Sequence, residues 1–139
     1  MIYKCKISCS KDSLKEVRSF VKSSLRNHGI SDLDMASMVL AMDEMLANVI
    51  IHTHHCDISH IVELKIEINQ PEGVFFVIYD RDKIFDLQQY EPPSLDEIVK
   101  TKRKGGMGLI LVKKIMDTIE IGTESGLNYC RLFKKVELH

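Results

Sequence analysis

One long segment, residues 32 to 51, carries apolar side chains at helical spacing and constrains the fold more than any other part of the chain. Ser31 and Asp32 precede it and are suitable N-cap residues. Its apolar members recur every three or four residues, as in a helix buried against a core, and they are rich in adaptable methionine. They are Met35, Met38, Val39, Met42, Met45, Leu46, Val49 and Ile50. The segment predicts a core helix on which the other elements pack.

Three polar residues, Glu44, Asn48 and His52, interrupt this helix at four-residue intervals. Residues four apart lie on one face of an α-helix. Polar groups are costly to bury without a partner, so the stripe is either the solvent-facing side of an amphipathic helix or a binding site. A carboxylate and an amide oxygen together suit a hard cation and the activation of a hydroxyl group.

Length and composition predict one soluble domain spanning residues 1–139. The chain has 139 residues, of which 45% are hydrophobic and 28% charged, as in globular proteins with a full core. Its 19 Lys and Arg residues balance 20 Asp and Glu residues, which argues against bulk binding of nucleic acid. We expect no apolar run to be long enough to cross a bilayer, and the N-terminus lacks a signal-peptide core, so we expect a cytoplasmic protein without membrane contact.

Four cysteines occur without a secretory signal, which favours free thiols over disulfides. The run from His52 to Cys56, with His60 nearby, raises the possibility of a zinc site. Its spacing matches no standard zinc-ligand pattern. A helix end followed by a polar loop is the simpler interpretation.

The periodicity along the chain predicts the order strand, helix, helix, strand, strand, irregular segment, helix, strand, strand. Residues 61–68 alternate, a turn follows at 69–73, and residues 74–79 form a more apolar strand, so these two strands predict a hairpin. Adjacent helices and hairpins, without regular strand–helix–strand alternation, indicate the α+β class. We expect a two-layer sandwich in which helices cover one face of a mixed, mostly antiparallel sheet.

The segment of residues 82–104 has little periodicity and ends in a basic cluster, which Gly105-Gly106-Met107-Gly108 follows. Long irregular segments in small domains are usually functional or mobile. Glycines directly before an apolar-periodic helix place backbone N–H groups at a helix N-terminus, where phosphate is favoured. Basic side chains attract phosphate too. A plain turn and a solvated charge run are the alternatives.

Three signals therefore stand in a fixed order: the Glu44–Asn48–His52 stripe, Asp80 at a strand end, and the glycines at a helix start. This order resembles the ATP-binding Bergerat fold shared by gyrase and sensor histidine kinases. The closest likeness is to the stand-alone bacterial anti-sigma-factor serine/threonine kinases, and it covers nearly the whole chain. The matching segments are residues 80–86, 105–109, 116–117 and 126–134.

The resemblance implies ATP and Mg²⁺ as cofactors and assigns three roles. Asn48 is expected to hold Mg²⁺, which needs few protein ligands because it keeps several waters. Asp80 is expected to accept a hydrogen bond from the adenine amino group, since a carboxylate only accepts. Glu44 is expected to act as the general base toward an incoming hydroxyl group.

The resemblance also implies a lid over the nucleotide. Gly105, Gly106, Met107 and Gly108 are expected to bring the lid backbone to the nucleotide, and Lys104 or Arg103 to touch phosphate. Asn128 matches the asparagine of the family's last strand and is expected at the nucleotide site as well.

By this resemblance the chain transfers the γ-phosphate of ATP to a Ser or Thr of a small antagonist protein in a partner-switching system. A sigma factor is a further expected partner, and a homodimer is the expected assembly. One departure from the family pattern opens an alternative, because Asp82 stands where the family has glycine. In this alternative the chain is a non-catalytic partner-switching module with a degenerate nucleotide site. A histidine-kinase-like ATP-binding half is disfavoured, because a helix pair bearing a phosphoacceptor histidine is not evident.

Overall fold

The computed structural model describes residues 1–69, 71–83 and 107–136, and its elements follow the predicted order. The elements are β1 (Ile2–Ser8), α1 (Ser13–Leu25), α2 (Asp32–Ala47), a π-helical segment (Asn48–Thr53), β2 (Ile61–Asn69), β3 (Gly73–Asp80), α3 (Met107–Ile115), β4 (Thr118–Glu124) and β5 (Leu127–Lys135). The irregular segment predicted at residues 82–104 lies almost wholly outside the described residues.

The five strands form one sheet in the order β1-β2-β3-β5-β4, and every neighbouring pair is antiparallel. The predicted hairpin of β2 and β3 is confirmed. The mixed sheet that we expected is fully antiparallel among the described strands. The register places Asp80, the last residue of β3, opposite Asn128 in β5. This pairing brings two of the predicted site residues to the same edge of the sheet.

Alternation along the strands gives the sheet one buried face. In β2, every second residue is buried and joins the hydrophobic cluster that includes residues of all three helices. Helix α2 packs against both α1 and α3. The predicted α+β sandwich, with helices on one face of the sheet, is therefore confirmed.

Helix α2 begins as predicted, because the Ser31 hydroxyl oxygen accepts a hydrogen bond from the Asp34 amide at 3.1 Å. Together with the π-helical segment it spans 22 residues and is long and apolar enough, by length and composition, to cross a membrane. The prediction that no run reaches that length is therefore wrong. In this fold the helix supplies much of the core, since Met42, Leu46 and Ile50 are fully buried.

Candidate functional site

The polar stripe lies where α2 changes into a π-helix. Glu44 and Asn48 are half-buried, and the Asn48 side-chain amide donates to the Glu44 backbone carbonyl at 3.0 Å. The donor end of the Asn48 amide is thus engaged, whereas its oxygen, the end that a cation uses, takes no part in this bond. From Asn48 the π-helical spacing displaces His52, which is exposed. The common α-helical face predicted for all three residues holds for Glu44 and Asn48 and is wrong for His52.

Asp80 lies at the end of β3, as predicted, but its carboxylate is buried, with 1% of the residue exposed. One carboxylate oxygen, Oδ1, accepts the backbone N–H groups of Asp82 and Lys83 at 3.0 and 3.1 Å. The other, Oδ2, lies 2.5 Å from Nε2 of His54. A buried carboxylate is tolerated when it is paired and hydrogen-bonded in this way. A carboxylate has about four acceptor positions, so these three donors leave about one.

His54 connects Asp80 to a second imidazole and a second carboxylate. Its side chain is fully buried, and its Nδ1 lies 2.8 Å from Nδ1 of His60. Nε2 of His60 in turn lies 3.5 Å from Oδ2 of Asp57. We call the four residues Asp80, His54, His60 and Asp57 the carboxylate–imidazole chain.

The sequence did not identify His54 and His60 as site residues. Apart from the zinc interpretation of this segment, the signal for them was indirect: a buried carboxylate at a strand end requires a partner, and histidines follow the core helix.

A tight turn between the π-helical segment and β2 places both imidazoles. The amide of Asp57 donates to the His54 carbonyl, and the amide of His60 donates to the Asp57 carbonyl, both at 3.0 Å. His55 and Cys56 adopt positive φ angles of 52° and 58°, a conformation that costs non-glycine residues about 1–2 kcal/mol each. The turn is therefore held by specific interactions, and these include the buried His54 side chain.

The surroundings of the carboxylate–imidazole chain are negatively charged. Burial, followed by the carboxylates of Asp80, Asp57 and Asp82, raises the pKa of the neighbouring Cys9 thiol to about 11. Hydrogen bonds from Ser59 lower the pKa of Asp57, with a smaller contribution from the nearby histidines.

Asp82, the residue that departs from the family pattern, is exposed and lines a groove with Lys6, Tyr79 and Arg81. Its backbone is unstrained. Among the described residues, positive φ angles outside glycine occur at Asn27, His55, Cys56 and Ser125. Position 82 therefore has no conformational need for glycine, and Asp82 contacts Asp80 through its amide.

Asn128 is hydrogen-bonded to the backbone just after β3. Its side-chain amide donates to the Lys83 carbonyl, and its oxygen accepts from the Thr123 hydroxyl, both at 3.0 Å. Of the predicted lid, Met107 and Gly108 begin α3, the helix that packs on α2. Arg103, Lys104, Gly105 and Gly106 lie outside the described residues.

The residues near the end of α2 fit Mg²⁺ better than zinc. Within the ranges that the structure describes, no three His, Cys, Asp or Glu side chains come together as a metal site, so the zinc interpretation gains no support there. The carboxylate of Glu44 and the amide oxygen of Asn48 are the hard oxygen donors that Mg²⁺ takes in small number, with water and phosphate completing its shell.

Comparisons with known proteins agree with this arrangement. Serine-protein kinase RsbW of Oceanobacillus iheyensis is 26% identical over 103 residues, which cover 71% of this chain and 65% of that protein. Serine-protein kinase RsbW of Staphylococcus aureus is 24% identical over 127 residues, which cover 88% of this chain and 79% of that protein. The chain thus spans a little under two thirds of the first of these relatives and more of the second.

A solved structure supports the fold. The crystal structure of the RsbU and RsbW domains of a Mycobacterium tuberculosis protein aligns with 99% of this chain and 32% of that one, with a TM-score of 0.68 and 14% identity. The family model for the histidine kinase-like ATPase domain matches residues 7–134. Because that match covers far more than half of the 139 residues, the chain belongs to the histidine kinase-like ATPase domain family.

Proposed function

We propose that this chain is an ATP-dependent serine/threonine protein kinase of the anti-sigma-factor type. It transfers the γ-phosphate of ATP to a Ser or Thr of a small antagonist protein. The observation that carries this proposal is Asp80, a buried, hydrogen-bonded carboxylate at the end of β3 in a chain of the kinase-like ATPase family. A carboxylate kept ionised and oriented is the acceptor that an adenine amino group requires.

The end of α2 supplies the groups for phosphoryl transfer in this proposal. Asn48 holds Mg²⁺ through its amide oxygen, and Glu44, one turn earlier, takes the proton of the attacking hydroxyl group. Bound Mg²⁺ neutralises the charge on the ATP phosphates. Phosphoryl transfer relies mainly on positioning and charge neutralisation, so one base and one metal ligand are sufficient protein groups at this end.

The lid supplies the remaining contacts. Residues from Gly105 to Gly108 bring backbone N–H groups to the phosphates at the start of α3, and Lys104 or Arg103 adds a positive charge. Asn128 acts near the base by holding the backbone at Lys83, next to the amides that orient Asp80.

The proposed kinase works in the cytoplasm as a homodimer, with the antagonist and a sigma factor as alternating partners and without direct contact with nucleic acid or membrane. The RsbW relatives are named serine-protein kinases, which supports the activity without identifying these partners. The alternative, a non-catalytic binding module, rests on Asp82. It loses support because Asp82 is exposed and its backbone has no need for glycine.

The test uses the purified chain with Mg²⁺, ATP labelled in its γ-phosphate, and the small antagonist domain encoded nearest to it. We expect label on a Ser or Thr of that domain. Glu44→Gln, which keeps the shape and removes the base, should abolish transfer and leave ATP affinity within a few-fold. Asn48→Ala should weaken binding of Mg²⁺ and ATP together.

Asp43→Asn is the matched control for Glu44→Gln. Asp43 is the adjacent acid on α2, and its carboxylate pairs with Arg18 at 3.4 Å at the surface. Exposed pairs of this kind contribute about 0–1 kcal/mol, so this variant should keep transfer. ATP binding without transfer to any partner would favour the non-catalytic alternative, and no nucleotide binding by calorimetry would refute the proposal.

A further inference from the structure

His54 is a buried titratable residue for which the proposed function has no role. Its side chain is fully buried, it contacts Asp80, and it arises from a turn with two strained residues. A merely apolar core position does not need an imidazole with a partner on each nitrogen. These contacts indicate that the role of His54 is to act on the Asp80 carboxylate.

Two of the contacts along the carboxylate–imidazole chain are hydrogen bonds, and each constrains the His54 ring. The contact with Asp80 needs an N–H group on Nε2 of His54 when Asp80 is ionised, because an ionised carboxylate only accepts. The contact between the two Nδ1 atoms needs one proton, since one nitrogen must donate and the other accept. With Nε2 facing Asp80 and Nδ1 facing His60, the His54 ring is held in one orientation from both sides.

Among the described residues, three hydrogen-bond contacts reach the buried Asp80 carboxylate, two from backbone N–H groups and one from His54. A carboxylate in a buried site without a compensating donor takes up a proton instead. A protonated Asp80 would both donate and accept, and it would lose its discrimination between an amino group and a carbonyl on a bound base. Adenine presents an amino group at the position where guanine presents a carbonyl.

We propose that His54 positions Asp80 as an ionised acceptor with one acceptor position left, and that it thereby sets the preference of the site for adenine over guanine. This inference rests on the proposed function, because it requires Asp80 to meet the base. His54 is a positioning residue in this scheme, since it acts on the nucleotide through Asp80.

Calorimetry with MgATP and with MgGTP tests the inference on the full chain. The native chain should bind ATP in preference to GTP. His54→Gln, whose amide retains a donor for Asp80, should keep that preference. His54→Leu, which removes the donor, should lower the ratio of ATP to GTP affinity by at least about tenfold, as expected for one hydrogen bond to a charged group.

His52→Gln and His52→Leu are the matched controls, because His52 is an exposed histidine two residues earlier. Both should leave the ratio unchanged. If His54→Leu does not fold, His60→Leu decides the question. The His60 side chain is 29% exposed, and its loss removes the partner that fixes the proton on His54, so the ratio should fall by a smaller factor.

A second measurement needs no nucleotide. In the native chain labelled with ¹⁵N-histidine, NMR should show Nε2 of His54 bearing a proton that exchanges slowly with water. An unprotonated Nε2, or an unchanged affinity ratio in a folded His54→Leu or His60→Leu variant, would overturn the inference alone. No ATP binding by the native chain would overturn the proposed function and this inference together.

Discussion

Replacing His54 by leucine should cost more stability than a typical core substitution. The change leaves the Asp80 carboxylate buried, with 1% of the residue exposed, and among the described residues the amides of Asp82 and Lys83 remain as its donors. Removing one partner of a buried charged pair typically costs about 3–5 kcal/mol. A domain of this kind has a free energy of unfolding of about 5–15 kcal/mol, so the variant should lose a large fraction of it.

A second substitution, Asp80→Asn, distinguishes loss of the His54–Asp80 contact from simple loss of packing, because its effect on stability should change sign between the native and the His54→Leu backgrounds. Asp80→Asn in the native background should destabilise by about 1.5–3 kcal/mol, the usual worth of a hydrogen bond to a charged group. In the His54→Leu background the same change removes the uncompensated charge, so it should recover about 1–3 kcal/mol. The double variant should therefore be more stable than His54→Leu alone.

Urea denaturation followed by circular dichroism measures all four proteins. With a denaturant slope of about 1–3 kcal/mol per molar, a loss of 3 kcal/mol moves the midpoint by about 1 M or more. The slope itself should stay constant, because the surface exposed on unfolding is nearly unchanged. A cost below about 1 kcal/mol for His54→Leu, or an equal cost of Asp80→Asn in both backgrounds, would show that the pair is not coupled as the distances imply.

Three further outcomes follow from single positions. Ser31→Ala removes the cap of α2 and should lower the free energy of unfolding by about 1 kcal/mol, as judged by urea denaturation. Gly73→Ala should lower the free energy of unfolding by about 3 kcal/mol or more, because its Cβ would lie 2.3 Å from the backbone oxygen of Lys134. Gly126→Ala, at a φ of 79° and in open space, should lower it by about 1–2 kcal/mol. Equal losses of stability in the same urea assay would contradict this difference. Burial raises the pKa of Cys130 to about 12 from an ordinary 9.0. The free energy of unfolding should therefore fall as pH rises above about 9, because the thiol then ionises in the unfolded chain and stays protonated in the folded one. Mass spectrometry at pH 8 should find Cys130 alkylated only after unfolding.

Most of the fold could be predicted from sequence because its signals are local. Alternation over residues 61–68 follows from burial of one sheet face, and Ser31 caps α2 through a contact three residues away. The order of the five strands and three α-helices that the structure describes, and the α+β class, followed from such patterns. The sheet order, in which β5 lies between β3 and β4, depends on contacts between distant residues and has no local signature.

The candidate site was predictable only in part. The positions of Glu44, Asn48 and Asp80 came from motif spacing, and the structure keeps them at the end of α2 and the end of β3. The change to a π-helix at Asn48 was not predictable, because propensity does not distinguish it from a continued α-helix. The His54–Asp80 contact joins residues 26 positions apart, and it exists only because the turn and the sheet meet in the folded protein.

Two residues differ in importance between the sequence and the structure, and they differ in opposite directions. Asp82 looked decisive because it replaces a glycine, yet its side chain is exposed and its backbone does not adopt the positive φ that favours glycine. His54 looked like part of a polar loop, yet its imidazole contacts Asp80, the buried carboxylate on which the proposed site depends. A carboxylate that must both be buried and stay ionised requires a donor from elsewhere in the fold. The strained turn at His55 and Cys56 is consistent with that requirement, since its cost is offset when it delivers the imidazole to Asp80.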